Sequence, residues 1–235
     1  MPDAQVSESL SRARRRLAAA LERAQRPADD AQLLAVSKTK PAGAIREAYH
    51  AGQRDFGENY LQEALDKQAE LADLDAIVWH FIGPLQSNKT RAVAEHFTWV
   101  HSVDRLKVAR RLSEQRPADH GPLNVCLQVN VSGESSKSGV APEELESLAL
   151  AVADLPNLTL RGLMAIPAPS DDLEAQRRPL AHLRRLRDTL NARHPSLALD
   201  TLSMGMSDDL EAAVLEGATL VRLGTAIFGA RAPHP

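Results

Sequence analysis

The chain has 235 residues, 43% of them hydrophobic, and a formal net charge of −3. This is enough apolar side chain for one core of the size found in α/β barrels, and the charge gives no global attraction to nucleic acid or anionic membranes. A single cysteine, Cys126, excludes an intrachain disulfide. We find neither a signal-peptide pattern nor an apolar run of membrane-spanning length, so we expect a cytoplasmic protein.

The first predicted element is a helix over residues 5–24. Its apolar residues recur at the three- and four-residue spacing of one helix face, and arginines at positions 12 and 14–16 lie mostly off that face. A nucleic-acid patch is one interpretation of these arginines. Glu8 and Glu22 are interleaved with them, which favours a solvated helix face.

After this helix, strand patterns alternate with helical patterns. The predicted strands are residues 33–38, 55–59, 78–83, 99–104, 124–130, 160–166, 201–205 and 220–229. The predicted helices between them are residues 42–52, 60–71, 87–96, 105–115, 142–153, 173–192 and 208–217. Ser87 and Asp208 are predicted N-caps, and Gly52 and Gly217 are predicted C-terminal stops.

This alternation predicts a parallel sheet. Eight units that leave no stretch for a second domain predict a closed (β/α)₈ barrel of the TIM type, with residues 1–235 as one domain and the first helix preceding the barrel. An open doubly wound sheet is the alternative. Its usual phosphate loop, G-x-G-x-x-G after the first strand, is absent.

In such barrels the chemistry takes place at the carboxyl ends of the strands. The candidates there are Lys38, Glu58, Asn59, His80, Met164, Ser203, Gly205, Arg222, Gly224 and Thr225. The serine, glycines and threonine that follow strands seven and eight predict a phosphate site, because barrels often bind phosphate at that place. The alternative is that Gly205 and Gly224 only make tight turns.

Lys38 is predicted to share a strand face with Leu34 and Val36. Burial and a neighbouring cation lower the pKa of a lysine, and a neutral amine attacks carbonyl carbon. We therefore interpret Lys38 as a Schiff-base lysine for a phosphate-bearing aldehyde; the alternative is a lysine that extends out of the barrel mouth. Three other lysines fall in loops or at helix starts and are less suited: Lys40, Lys89 and Lys137.

Arg222 stands inside an apolar predicted strand and so needs a partner. One interpretation is a structural ion pair, for example with Glu58. The other is a hydrogen bond to a pyridine nitrogen, which arginine would keep unprotonated, so that the ring would be a weak electron sink.

Seven stretches of the chain closely resemble one known family, the pyridoxal 5′-phosphate homeostasis proteins, which are single-domain relatives of the barrel domain of alanine racemases. These stretches are "LLAVSKTKP", "FGENY", "HFIGPLQSNK", "SGESSKSGV", "RGLMAI", "SMGMSDDLEAA" and "VRLGTAIFGAR". The resemblance implies a (β/α)₈ barrel with pyridoxal 5′-phosphate as an internal aldimine. By position it implies Lys38 as the aldimine lysine, Asn59 near the ring, Ser203, Gly224 and Thr225 on the phosphate, and Arg222 at the pyridine nitrogen.

The resemblance also implies cofactor homeostasis with little or no catalytic turnover. Alanine racemases use a tyrosine base from a second domain of a partner subunit, whereas the tyrosines of this chain are Tyr49 and Tyr60. We therefore expect a monomer that is not an enzyme, binds this small molecule and has neither metal nor nucleic-acid partners. Transient contact with cofactor-free enzymes that use pyridoxal phosphate remains open.

Two enzymatic alternatives are kept. One is a racemase or another amino-acid-transforming enzyme that uses the same lysine. The other is a sugar-phosphate barrel enzyme of the aldolase type, in which Glu58 and His80 would act as acid and base. Each of these two residues also has a structural interpretation: Glu58 as the partner of Arg54 or Arg222, and His80 as a satisfied core histidine.

Overall fold

Eight parallel strands close into a barrel in chain order in the computed structural model, which describes residues 2–135 and 138–231. The strands are β1 Gln32–Val36, β2 Asp55–Glu58, β3 Val78–Phe81, β4 Trp99–Val103, β5 Leu123–Gln128, β6 Leu158–Met164, β7 Thr201–Ser203 and β8 Leu220–Leu223. The barrel closes between β1 and β8, where Gln32 pairs with Leu220 and Ala35 with Leu223. The predicted barrel is confirmed, and the open-sheet alternative is wrong.

Helices follow the strands around the outside of the barrel. They are α1 Pro2–Arg23, α2 Ala42–His50, α3 Leu61–Glu70, α4 Thr90–His96, α5 Leu106–Gln115, α6 Pro142–Ala153, α7 Leu173–Arg193, α8 Leu210–Leu215 and α9 Thr225–Phe228. The described residues contain no helix long and apolar enough to cross a membrane. Lys137, one of the alternative lysines, lies outside the described residues.

Strand β1 shows how the sequence sorts side chains between two cores. Leu33 and Ala35 are buried in the large core, whereas Leu34 and Val36 form a separate small cluster with Ile82. Because successive side chains of a strand point to opposite faces, the second set lies inside the barrel and the first set faces the helices. Such strands are covered on both faces, which is why they appear in the sequence as continuous apolar runs.

Helix α1 packs across the outside of the barrel, against α2, α8 and α9. Two of the arginines predicted on a solvated face bind other elements. Arg14 donates to Ala51 O at 2.9 Å and to Gln53 Oε1 at 3.1 Å. Arg16 forms a bidentate pair with Glu211 of α8 at 2.8 Å. These arginines therefore fasten α1 to the barrel.

Three predicted boundaries are corrected by the structure. The eighth strand ends at Leu223, not at residue 229, and the apolar run that follows forms α9. A short apolar run does not by itself distinguish strand from helix. Ser87 lies within a 3₁₀ turn and caps no helix, and Asp209, not Asp208, stands at the cap position of α8. The predicted stops at Gly52 and Gly217 are confirmed, since both adopt positive φ just after a helix ends.

Candidate functional site

A pocket of about 250 Å³ opens at the carboxyl end of the barrel. Five of the seven residues predicted to bind a cofactor line it, and these are Lys38, Asn59, Arg222, Gly224 and Thr225. Sequence reasoning missed the other polar and apolar lining residues, which are Val36, Ile82, Ile166, Met206, Ser207, Asp208 and Arg231. The closed barrel brings these residues together from six separate parts of the chain.

Lys38 follows β1 and is half-buried at the pocket. It stands two residues beyond Val36, so it continues the face that lies inside the barrel. Burial lowers the pKa of Lys38, and the nearby charges of Arg231 and Arg222 lower it further. Removal of the proton from a lysine gives a nucleophilic amine, so this environment favours attack on a carbonyl.

The backbone on either side of Lys38 is fixed by α3. Lys67 Nζ donates to Ser37 O at 2.8 Å and to Glu58 Oε1 at 2.7 Å, and Ser37 Oγ donates to Glu58 Oε1 at 2.8 Å. On the other side, Glu63 accepts a hydrogen bond from the Thr39 N–H. The buried ion pair of Lys67 and Glu58 thus fixes the backbone next to Lys38, and the side chain of Lys38 extends to the pocket.

Glu58 has a different partner from the two that we predicted. Arg54 instead donates to backbone carbonyls and stacks over the Tyr49 ring at 3.8 Å. Glu58 is fully buried, and this burial raises the pKa of its carboxyl in spite of the pairing with Lys67. It belongs to the support beneath Lys38 and does not line the pocket.

Arg222 is a buried cation whose hydrogen-bond partners among the described residues are neutral. Its side chain donates to Ser203 Oγ at 2.8 Å and to Ala165 O at 3.1 Å. The predicted ion pair with Glu58 is therefore wrong. Burial lowers the pKa of Arg222 to about 10, although Asp209 raises it in part. A guanidinium has five N–H donors, so Arg222 retains donors for the pocket that it lines.

Ser203 and Met164 lie beneath the pocket and do not line it. Both are fully buried, and the Ser203 hydroxyl is already bonded to Arg222 and His101. The serine at the pocket is Ser207, which lines it together with Thr225. The chain turns between the two serines at Gly205, whose φ is +104° and where an added Cβ would lie 2.6 Å from Ala213 Cβ.

Ser207 is held in place from outside the barrel. Arg16 of α1 donates to Ser207 O at 2.6 Å while it pairs with Glu211 of α8. The second serine of "SMGMS" was the available sequence signal for this residue. It lies two residues beyond the predicted end of strand seven, outside the residues that the strand pattern places at the site.

The other residues considered for catalysis are not at the pocket. His80 Nε2 lies 2.9 Å from Asp55 Oδ1 and its Nδ1 lies 2.9 Å from His101 Nε2, so it is a satisfied core histidine. Tyr60 is exposed at the start of α3, and neither it nor His80 lines the pocket. An aldolase-type acid–base pair of Glu58 and His80 at Lys38 is therefore not supported.

The pocket fits a small aromatic aldehyde that carries a phosphate. Three cationic side chains and one acidic side chain line it, which suits a dianion. Gly224 and Thr225 begin α9, and the first N–H groups of a helix have no partner within it. Asn59 Oδ1 is buried without a hydrogen-bond partner. Among the described residues, no group of three His, Cys, Asp or Glu side chains is arranged to hold a metal ion.

The fold and pocket define a barrel of the alanine racemase type. The family described as "Alanine racemase, N-terminal domain" matches residues 9–232. The chain is 66% identical over 226 residues to the pyridoxal phosphate homeostasis protein of Pseudomonas aeruginosa, covering 96% of each chain. It is 54% identical over 228 residues to the protein of that name from Escherichia coli K12, covering 96% of this chain and 97% of the other. The chain belongs to the pyridoxal phosphate homeostasis protein family.

Solved structures agree with this assignment. PipY of Synechococcus elongatus, solved with PLP bound, is 42% identical, has a TM-score of 0.84 and is matched over 96% of this chain and 100% of its own. Alanine racemase from Corynebacterium glutamicum is 18% identical, with a TM-score of 0.71 over 96% of this chain and 60% of that chain. The racemase likeness shows the shared fold alone.

Proposed function

We propose that this protein binds pyridoxal 5′-phosphate reversibly in the barrel pocket and takes part in vitamin B6 homeostasis, with little or no catalytic turnover. The observation that carries the proposal is Lys38, a lysine whose pKa is lowered by burial and by the charges of Arg231 and Arg222, in one pocket with Ser207 and the start of α9. The names of its relatives, and PLP bound to PipY, support the same conclusion. We also propose a single-domain cytoplasmic monomer.

The side chains have distinct proposed roles. Lys38 Nζ, in its neutral form, would be the amine that holds the cofactor, and bound pyridoxal phosphate would supply the aldehyde for a condensation that releases one water and is reversed by water. Ser207, Gly224 and Thr225 hold the phosphate. Asn59 contacts the ring side, and Arg222 donates to the ring nitrogen.

Replacing Ser207 with alanine tests the phosphate site. Loss of one hydrogen bond to a charged group costs about 1.5–3 kcal/mol, so we expect affinity for pyridoxal phosphate to fall roughly ten- to a hundredfold. Titration followed by visible absorbance measures this affinity. Ser11→Ala, on the exposed outer face of α1, is the matched control and leaves affinity unchanged. Equal affinity of the wild-type protein for pyridoxal and pyridoxal phosphate would mean that no phosphate site exists.

We expect α-proton exchange of amino acids to be much slower in this protein than in a racemase. Arg222 would leave the ring nitrogen unprotonated, which weakens the ring as an electron sink. Neither Tyr49 nor Tyr60 lines the described pocket to serve as a second base. Nuclear magnetic resonance in deuterated water follows the exchange, with an alanine racemase as the positive control.

The same proposal predicts that cells without the gene contain altered levels of free pyridoxal phosphate. Expression of the wild-type protein restores these levels, and expression of the Lys38→Ala variant does not. Exchange at an ordinary enzymatic rate, together with unchanged cofactor levels on deletion, would favour the racemase alternative.

A further inference from the structure

Five polar groups form a continuous chain of hydrogen bonds across the inside of the barrel. Arg222 Nη1 lies 2.8 Å from Ser203 Oγ, which lies 2.7 Å from His101 Nδ1. His101 Nε2 lies 2.9 Å from His80 Nδ1, and His80 Nε2 lies 2.9 Å from Asp55 Oδ1. Arg222 lines the pocket, whereas Asp55 is the first residue of β2, at the opposite end of the barrel. We call these residues the relay.

The relay occupies positions that barrels usually fill with branched apolar side chains. His101 and Ser203 are 0% exposed, His80 is 1% and Arg222 is 4%. Buried polar groups destabilise a fold unless they are hydrogen-bonded, and a buried charge does so more strongly. The side chains of His80, His101 and Ser203 form hydrogen bonds only with other relay residues in the described part of the chain, and Arg222 has one further bond, to Ala165 O.

When both histidines are neutral, the chemistry of the two ends sets the direction of every bond. An arginine only donates and an ionised carboxylate only accepts. Ser203 accepts from Arg222, so its single proton is available for His101 Nδ1. The proton of neutral His101 is then on Nε2 and is donated to His80 Nδ1. His80 in turn carries its proton on Nε2 and donates it to Asp55.

The reverse order is disfavoured on two grounds. It requires His80 to be doubly protonated and His101 to donate to Ser203. The proton of the Ser203 hydroxyl then has no acceptor among the described residues. Burial lowers the pKa of His80 despite Asp55, and it holds the pKa of His101 well below its usual value. Both rings are therefore neutral near pH 7, as the forward order needs.

We propose that Asp55, His80, His101 and Ser203 are positioning residues, which form a one-way hydrogen-bond relay that orients Arg222 and links it to Asp55 as a remote counter-charge. Among the described residues, Arg222 donates to no carboxylate directly. Asp209 acts on it only through space, whereas the relay connects it to the Asp55 carboxylate through hydrogen bonds. The inference rests on the proposed function in one respect, namely that Arg222 donates to bound pyridoxal phosphate.

The bond order is tested in the cofactor-free wild-type protein. Nitrogen-15 spectra of the histidine side chains distinguish the two neutral tautomers and the doubly protonated ring. We expect His80 and His101 both to be neutral near pH 7 with the proton on Nε2. A proton on Nδ1 of either ring, or a doubly protonated His80, overturns the relay.

The link to the pocket is tested with Asp55→Asn, which keeps an oxygen acceptor and removes the charge. We expect affinity for pyridoxal phosphate to fall about 2- to 30-fold, as for changes along a network that contacts a ligand only at its far end, together with a shifted visible absorption maximum. Asp200→Asn is the matched control. Asp200 lies at the same end of the barrel but pairs with Arg161 and is outside the relay, so affinity and spectrum should match the wild type.

The outcomes separate the two proposals. A wild-type protein that binds pyridoxal phosphate, with Asp55→Asn identical to it in affinity and spectrum, overturns the link between the relay and the pocket. If the wild-type protein does not bind pyridoxal phosphate at all, both the proposed function and the link between the relay and the pocket are wrong. The histidine spectra decide the bond order of the relay in either case, because they need no cofactor.

Discussion

Replacing Lys38 with alanine is expected to abolish covalent binding of pyridoxal phosphate. The visible absorption band of the bound cofactor should be lost completely, since no second lysine among the described residues lines the pocket. Titration of the purified variant with the cofactor measures this directly. Residual binding through the phosphate contacts should persist, at lower affinity and without the band.

Lys40→Ala is the matched control for this variant. Lys40 lies two residues along the same loop, and its Nζ donates to Ala230 O at 2.7 Å, outside the pocket lining. We expect it to bind the cofactor with the wild-type spectrum. Retention of the band in Lys38→Ala, or its loss in Lys40→Ala, would place the reactive amine elsewhere.

Replacing Lys67 with methionine is expected to give the largest loss of stability. The side chains of Lys67 and Glu58 are 6% and 0% exposed, and removal of Lys67 leaves a carboxylate buried without its counter-charge. Breaking a buried pair in this way costs about 3–5 kcal/mol. The free energy of unfolding in urea at neutral pH measures the effect. A loss below about 1 kcal/mol would contradict the role assigned to this pair.

The pH dependence of the Lys67→Met effect follows from Glu58. Burial already raises the pKa of this carboxyl above its unfolded value. Removal of Lys67 takes away a positive charge and a hydrogen bond that both lower this pKa. When the pKa of a carboxyl is higher in the folded than in the unfolded state, the free energy of unfolding falls as pH rises towards the folded pKa. The variant should therefore come closest to the wild type at acid pH. Arg46→Met, which breaks the exposed pair with Asp73, is the control and should change little at any pH.

The barrel could be predicted from the sequence because its signals are local. Each strand is a short apolar run and each helix has its own periodicity, so eight alternations indicate the topology without knowledge of long-range contacts. Lys38 could be placed at the pocket for the same reason, since the period of two along β1 continues to it. The predicted eighth strand is too long because the apolar residues after Gly224 show no periodicity that distinguishes a strand from a helix.

The partners of buried polar groups could not be predicted, because they depend on side chains that meet only in the folded chain. Glu58 pairs with Lys67, a residue on the following helix, whereas the sequence predicts Arg54 or Arg222 as its partner. Ser203 was predicted at the phosphate because it ends a strand. The turn at Gly205 leaves its hydroxyl beneath the pocket and brings Ser207 to the pocket wall.

The central claim is that Lys38 is the amine that binds pyridoxal phosphate, and borohydride reduction followed by peptide mapping tests it most directly. Reduction makes the link between the amine and the cofactor permanent, so the modified residue can be identified by mass spectrometry. The account predicts that the cofactor is fixed to Lys38 in the wild-type protein. Fixation to another lysine, or the absence of any reduced adduct in protein that shows the visible band, would contradict it.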